Sequence, residues 1–429
     1  MSASVFPDRR DIEAMQLAKL RVLLAALTPC NRFYSAKLGT AGLSSDVAGV
    51  DEFCRRMPFT RKQDLIDDQL ANPPFGSNLT DPLERYTRFC QTSATTGQPM
   101  RWLDTPESWN WMLGNWSHVF RAAEVTAQDR IFFAFSFGPF LGFWTAFEAA
   151  ARMGAMCIPG GGMRSVARLR TLLDTEATVL CCTPTYAIRL AEVAADENID
   201  LTKSRVRRII VAGEGGGSIP GTRAHIERLW PGATVWDHHG MTETGPVSYG
   251  CPKRPGVLHV IESEYIAEVI DTESGRAVPP HGTGELVLTN LGRIASPLLR
   301  YRTGDVVERG VDSRCDCGSC EMALEGGILG RTDDMVVVRG VNVYPSAVED
   351  IVRTVGGVAE YRVEIRADRA MPELSLRFEP YPESLDGADL AHRLETALRN
   401  AFSLRIPATG VPCGTLPRFE MKAQRWVRL

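Results

Sequence analysis

The sequence predicts an α/β protein, with a large N-terminal domain of parallel and mixed sheets, helices and a β-rich subdomain, followed by a small α+β C-terminal domain. Three observations lead there. Between residues 129 and 212 short apolar runs alternate with segments of helical period. From about residue 255 strand-like pieces follow one another between turns, and after Gly330 the texture changes again. A chain of 429 residues exceeds the size at which one core keeps growing, so two or three domains are expected. The boundary is placed near Arg331–Asp334, giving domains 1–331 and 332–429.

In chain order, residues 11–27 (DIEAMQLAKLRVLLAAL) carry apolar positions at helical spacing, and 129–137 (DRIFFAFSF) reads as a buried strand. A helix over 141–153 (LGFWTAFEAAARM) should follow, then Gly154 and a strand at Ala155–Ile158, with the pattern repeated at Ala177–Cys182 and Val206–Ala212. Strands alternating with helices imply parallel pairing. Tyr265–Ile270, Gly284–Thr289 and Asp305–Glu308 are the strands of the β-rich part. Helices at Ser346–Val355 and Gly387–Ser403, with two strands between them, complete the C-terminal domain.

The formal charge is −4 with acidic and basic residues interspersed, whereas a nucleic-acid or membrane-surface partner would favour a concentrated basic face. A small-molecule substrate is the expectation. The opening stretch MSASVFPDRRDIEAMQ has charges where a signal peptide needs an apolar run, and no later run approaches the roughly 20 residues of a spanning helix, so a cytoplasmic location is expected. Eleven cysteines, an odd number without a regular framework, are expected to be reduced thiols.

One segment stands out for phosphate chemistry: Thr92-Ser93-Ala94-Thr95-Thr96-Gly97-Gln98-Pro99. Short hydroxyls and backbone N–H groups can all turn toward one anion, Gly97 permits positive φ, and Pro99 stops the loop running on as a helix. Such clusters are also ordinary turn material. No Gly-x-x-x-x-Gly-Lys-Ser/Thr run occurs, so a Walker-type nucleoside triphosphatase is a poor reading.

A second cluster, Cys315-Asp316-Cys317-Gly318-Ser319-Cys320, concentrates thiols in a way that suits metal ligation. Cys251 and His259 lie upstream in a Pro/Gly-rich segment able to loop back, so the candidate zinc set is Cys251, His259, Cys315 and Cys317. Surface or core thiols without an ion are the alternative.

Four motifs occur in the order found in adenylate-forming enzymes: Thr92–Pro99, His239-Gly240-Met241-Thr242-Glu243-Thr244-Gly245, Tyr301-Arg302-Thr303-Gly304-Asp305 and Gly330-Arg331-Thr332-Asp333-Asp334. From about Leu20 to Arg425 the chain resembles that superfamily, and most of all its phenylacetate–coenzyme A ligase-like branch. Cys182-Thr183-Pro184-Thr185-Tyr186, the Cys-x-Cys-Gly element at 315–318 and Arg339-Gly340-Val341-Asn342-Val343-Tyr344-Pro345 are similar to that branch.

The resemblance implies ATP-dependent activation of an aryl, phenylacetate-like carboxylic acid to an acyl-adenylate, then transfer to the thiol of coenzyme A. Thr92, Ser93, Thr95, Thr96 and Gly97 would surround the leaving phosphates, and Glu243, beside Thr242, would hold Mg²⁺. Asp305 matches the aspartate whose two oxygens accept the ribose hydroxyls, and Arg331 an arginine near ribose and phosphate. Gly213, Glu214, Gly215, Asp237, His238, His239, Gly240 and Met241 fall where the family lines the adenine. Lys422, in Leu416–Arg425, matches the catalytic lysine that bridges the substrate carboxylate and the α-phosphate. Asp333 matches the hinge about which a small mobile C-terminal domain rotates between half-reactions. Phe135, Phe137, Phe140, Gly216 and Gly245 are the expected lining of the acyl pocket, the phenylalanines favouring a flat apolar acid.

The chain also departs from the family pattern. Ala94 and Gln98 replace a glycine and a lysine of the phosphate loop, with Arg101 as a substitute cation; His239 stands where a tyrosine is common, and Met421 replaces the glycine before Lys422. Gly215-Gly216 replaces a bulkier pair and suggests a roomier pocket. Three other readings stay open at this stage: transfer to an acyl-carrier-protein phosphopantetheine thiol or to an amine, a non-catalytic adenylate-binding relative, and a homodimer as the assembled form. A cysteine hydrolase lacks a paired base.

Overall fold

The computed structural model describes residues 6–92, 99–338, 341–366, 372–381, 387–420 and 422–429. They divide into two compact units that follow space rather than chain order: Met1–Gly162 with His238–Gly327, and Met163–Asp237 with Ile328–Leu429.

The first unit opens with the helix Arg9–Cys30, started by a reciprocal cap in which the Asp8 carboxylate accepts from the Asp11 N–H and the Asp11 carboxylate from the Asp8 N–H. Its buried face, Leu20, Leu23, Leu24 and Leu27, packs with Tyr34, Leu38 and Phe53. The helix Pro106–Ala122 begins with Thr105 accepting from Ser108 N–H and proline in the first turn. A six-stranded sheet runs in the order Ser248–Gly250, Leu258–Val260, Ala323–Arg331, Tyr301–Arg309, Thr283–Asn290, Tyr265–Ile270. This is the expected β-rich part. Arg130–Phe133 and Met156–Pro159 pair in parallel, and Arg88–Gln91 and Arg101–Asp104 form an antiparallel hairpin.

The second unit contains the parallel strands Val179–Cys182, Arg208–Val211 and Thr234–Asp237, with the helices Ser165–Asp174, Pro184–Asp196 and Pro220–Leu229. Its other part is a four-stranded sheet ordered Ala408–Gly410, Glu373–Pro380, Val358–Arg366, Trp426–Arg428, with the helices Pro345–Val355 and Gly387–Phe402. Val348, Val352, Leu394, Leu398 and Phe378 centre its core.

The strand expected over 129–137 is shorter. It ends at Phe133, where the Phe135 N–H donates back to the Phe133 carbonyl, and the following phenylalanines pack on one another instead of on a neighbouring strand. Among the described residues no helix is long and apolar enough to cross a membrane.

Candidate active site

The candidate groups fall in both units. In the first, His239–Gly245 is a tight hairpin in which Gly240 pairs with Pro246 and Met241 with Gly245, leaving Thr242, Glu243 and Thr244 at its tip. A Cβ on Gly240 would lie 2.9 Å from the Gly245 carbonyl oxygen, so the close approach requires glycine there. The tip is gripped from beneath by Arg293, which is fully buried. Its Nη1 donates to the carbonyls of Thr242 and Glu243, both at 2.8 Å. Its Nε and Nη2 form a bidentate pair with Asp104 at 2.7 and 2.6 Å, and its guanidinium lies over the Trp102 ring. Asp104 and Trp102 belong to the hairpin whose two strands flank the phosphate-loop motif, so one arginine fixes both that hairpin and the Glu243 turn. Glu243 itself is buried.

Arg293 and Asp104 were not singled out in the sequence. The available signal was an arginine within the mostly apolar stretch Leu291–Leu299 and an aspartate directly after Trp102-Leu103.

His239 donates through Nε2 to Asp305 Oδ2 at 2.9 Å, and both side chains are largely buried. A ribose engaging both carboxylate oxygens would share Oδ2 with this imidazole. His238 has another place: its Nδ1 lies 2.7 Å from the Ser248 carbonyl and its ring packs on Trp116 at 4.4 Å. Burial pushes its pKa down to about 4. It is a neutral histidine of the core that shapes the hairpin from behind.

Thr92 closes the base of the phosphate-loop hairpin, with its N–H on the Met100 carbonyl and its hydroxyl accepting from the Met100 N–H at 3.0 Å. Ser93, Thr95, Thr96, Gly97 and Gln98 lie outside the described residues. Arg101, the candidate substitute cation, donates through Nη1 to the Pro74 carbonyl at 2.9 Å, while its backbone exchanges hydrogen bonds with the Gln69 amide.

Phe135, Phe137 and Phe140 form an edge-to-face cluster. Phe135 meets Phe137, Phe140 and Phe143 at centroid distances of 5.7, 5.3 and 5.4 Å, and Phe137 is tied to Trp144 at 4.7 Å. A Cβ on Gly142, whose φ is +40°, would lie 1.8 Å from Phe135, so that glycine makes room for the cluster. Gly245, at φ +81°, packs against Met112.

Cys251, His259, Cys315 and Cys317 converge, their donor atoms all within 4.8 Å of one another. Cys251 Sγ and Cys315 Sγ are 3.7 Å apart, and Cys317 Sγ lies 3.4 Å from His259 Nε2. Zinc–sulfur bonds of about 2.3 Å and zinc–nitrogen bonds of about 2.0 Å in a tetrahedron put donors roughly 3.5–3.8 Å apart, which the Cys251–Cys315 separation matches and the Cys317–His259 separation approaches. His259 Nδ1 faces the Glu321 carbonyl at 3.2 Å, leaving Nε2 toward the thiols.

In the second unit Gly213 and Gly216 take φ of +95° and +151°, bending the chain sharply on either side of Glu214. Glu214 Oε1 accepts from the Thr185 N–H at 2.9 Å and Oε2 from the Ala423 N–H at 2.8 Å. Lys422 reaches over the turn, its Cε 3.6 Å from where a Gly213 Cβ would stand. The roomier pocket expected from Gly215-Gly216 is not what Gly216 provides: Pro184 fills that space, 2.5 Å from a hypothetical Cβ. Asp237 Oδ2 accepts from Ser218 Oγ at 2.5 Å. Arg331 Nε donates to Asp333 Oδ1 at 3.0 Å.

Residues 59–292 match the family of AMP-binding enzymes, and residues 340–428 match the AMP-binding enzyme C-terminal domain. The chain belongs to the AMP-binding enzyme family, in its phenylacetate–coenzyme A ligase-like branch, and is an AMP-forming acid–thiol ligase. The coarse reaction of that class is ATP-dependent formation of an acyl-adenylate followed by thioester formation with coenzyme A. Phenylacetate-coenzyme A ligase of Thermus thermophilus is 29% identical over 96% of this chain and 95% of its own, and that of Escherichia coli 29% identical over 97% and 94%. Among solved structures, 2-hydroxyisobutyryl-CoA ligase in the postadenylation state with 2-HIB-AMP matches with a TM-score of 0.93 at 26% identity, covering 99% of this chain and 90% of that one. The same ligase in the thioesterification state, with 2-HIB-AMP and CoA, matches with 0.73 at 27% identity over 98% and 90%.

Proposed function

We propose that this ligase activates an aryl, phenylacetate-like carboxylic acid and passes the acyl group to coenzyme A, with residues 332–429 rotating about Asp333 between the two steps. The observation that carries the reading is the position of Lys422, held over the Gly213 turn while Ala423 is clasped by Glu214. An ammonium there offsets the repulsion between an attacking carboxylate and the α-phosphate and holds them in line.

In this reading Asp305, oriented by His239, receives the ribose, and Arg331 lies near ribose and phosphate. The loop from Thr92 to Gly97 takes the leaving phosphates on hydroxyls and N–H groups. The turn gripped by Arg293 presents Glu243, which would hold a magnesium ion, a hard cation that adds positive charge at the phosphate oxygens when bound. Gly213, Gly215, Asp237, Gly240 and Met241 line the adenine, and the Phe135, Phe137 and Phe140 cluster with Gly245 forms one wall of the acyl pocket. Cys251, His259, Cys315 and Cys317 would hold zinc in a structural role, since four protein ligands leave no position for chemistry.

A second reading of the acid, a small branched 2-hydroxy acid, is favoured by the likeness to 2-hydroxyisobutyryl-CoA ligase. ATP–pyrophosphate exchange with phenylacetate, benzoate derivatives and 2-hydroxyisobutyrate separates the two. Exchange with aryl acids alone is expected; exchange with the hydroxy acid alone replaces the acid assignment. No exchange with any acid, beside an active control ligase, refutes the reading.

A further inference from the structure

We infer that Glu214 is a positioning residue that clasps the Lys422 segment for adenylation and lets it go for thioester formation. The inference rests on the catalytic role proposed for Lys422. Residue 214 sits in the stretch expected to line the adenine, yet both of its carboxylate oxygens are engaged elsewhere in the second unit. One accepts from Thr185 N–H in the first turn of the helix Pro184–Asp196, the other from Ala423 N–H, the residue after Lys422.

The chemistry of the two donors suits a bond that must be made and broken. A helix N-terminus leaves its first N–H groups without intrahelical partners and favours an anion, so Glu214 is held there without costing the helix any of its own bonds. The Thr183 hydroxyl already caps that helix at Tyr186 N–H, so the helix keeps its start when the clasp opens. Ala423 N–H is the far jaw, and charge-assisted acceptance fixes the lysine's backbone beside the turn. Glu214 is only half-buried, so water can replace either bond at small cost. Two other contacts of the same segment are longer: Arg425 Nη1 to Thr185 Oγ1 at 3.5 Å and Ser165 Oγ to Glu420 Oε1 at 3.4 Å. Among the described residues the carboxylate makes the hydrogen bond nearest to Lys422; the shorter Arg425 Nε–Glu360 Oε1 bond, at 2.6 Å, lies three residues further on. The sharp bends at Gly213 and Gly216 aim it there.

The test separates the half-reactions in the full-length enzyme. Glu214→Gln keeps the shape but offers one acceptor for two N–H donors, and Glu214→Asp keeps the charge but is too short to reach both. Acid-dependent ATP–pyrophosphate exchange should fall on the order of tenfold to a hundredfold in kcat for Glu214→Gln, with the KM for ATP little changed, and by less for Glu214→Asp. Thioester formation from supplied acyl-adenylate and coenzyme A should be retained or faster in both. Equal loss of both half-reactions in both variants would mean a structural residue and overturns the inference, as does unchanged exchange. Lys422→Ala is run in parallel: if it abolishes exchange while Glu214→Gln leaves exchange unchanged, the clasp alone fails. If Lys422→Ala leaves exchange intact, the role of the lysine fails and the clasp with it.

Discussion

Arg293 in the first unit and Glu214 in the second both hold backbone that carries a candidate catalytic side chain, and they do so under opposite conditions of burial. Arg293 is wholly enclosed and satisfied by a bidentate aspartate, two carbonyls and an aromatic face. Glu214 is half-exposed and uses two neutral N–H donors. A charge pair out of water is costly to open, because each partner would be left uncompensated, whereas a carboxylate near solvent exchanges its donors for water. The difference teaches which parts of the site are built to stay. On the proposed reading Glu243 is needed wherever phosphate charge is handled, and its turn is locked; Lys422 would serve one half-reaction, and its hold is light.

The largest expected effect tests that contrast directly. Arg293→Ala strands the buried Asp104 carboxylate and should cost about 3–5 kcal/mol of unfolding free energy. Glu214→Ala should cost about 1 kcal/mol or less. Chemical denaturation of both variants measures this, and similar losses would erase the distinction between a locked and a releasable support.

The Cys/His cluster extends the locked class within the first unit. Purified protein should carry zinc at about one equivalent, removed by Cys315→Ser, and chelation should lower the melting temperature without changing the ratio of the two half-reactions. Absence of zinc by elemental analysis, with Cys315→Ser harmless to stability, would return these residues to ordinary packing.

The second unit has a fixed point of its own, which sharpens where release takes place. Arg425, three residues beyond Lys422, is buried with Glu360 and Glu349, and Glu349 also takes Arg353 and the Tyr361 hydroxyl. Burial alone would raise the Glu349 carboxyl, but Arg425 and Arg353 outweigh it and hold it at about 2, below the ordinary 4.5. A depressed carboxyl contributes stability that is complete above its unfolded value and disappears as pH falls through the folded one. Melting temperature should therefore drop between about pH 4.5 and 2, and Glu349→Gln should be less stable at neutral pH but flatter across that window. An equal slope in the variant would assign the acid sensitivity to other carboxylates.

How much of this was legible in the sequence follows from the range of the interactions. The alternation of strand and helix and the strand Tyr265–Ile270 were readable because periodicity is local. The zinc-type cluster was readable because thiol and imidazole chemistry marks its members, even with Cys251 far upstream of Cys315. The Arg293–Asp104 pair was not, since it joins residues 189 positions apart and neither is distinctive alone. Glu214 was noticed for its motif, but its partners are backbone N–H groups, which carry no sequence signal. The same holds for Gly216, whose missing side chain suggested space that Pro184 occupies.

The smallest expected effect concerns Gln98, which stands where the resembling family carries a lysine. Arg101 was the natural substitute, but its guanidinium is engaged on the Pro74 carbonyl, beside a backbone tied to Gln69. A neutral amide makes a weaker phosphate contact than an ammonium, by about half in charge-assisted terms. Gln98→Lys should accordingly lower the KM for ATP by about two- to tenfold, leave the KM for the acid unchanged and leave thioester formation from supplied acyl-adenylate untouched. Arg101→Met in the parent should change little. If instead Gln98→Lys is silent and Arg101→Met weakens ATP, the arginine leaves Pro74 when nucleotide binds, and the phosphate-loop hairpin belongs with the releasable supports rather than the locked ones.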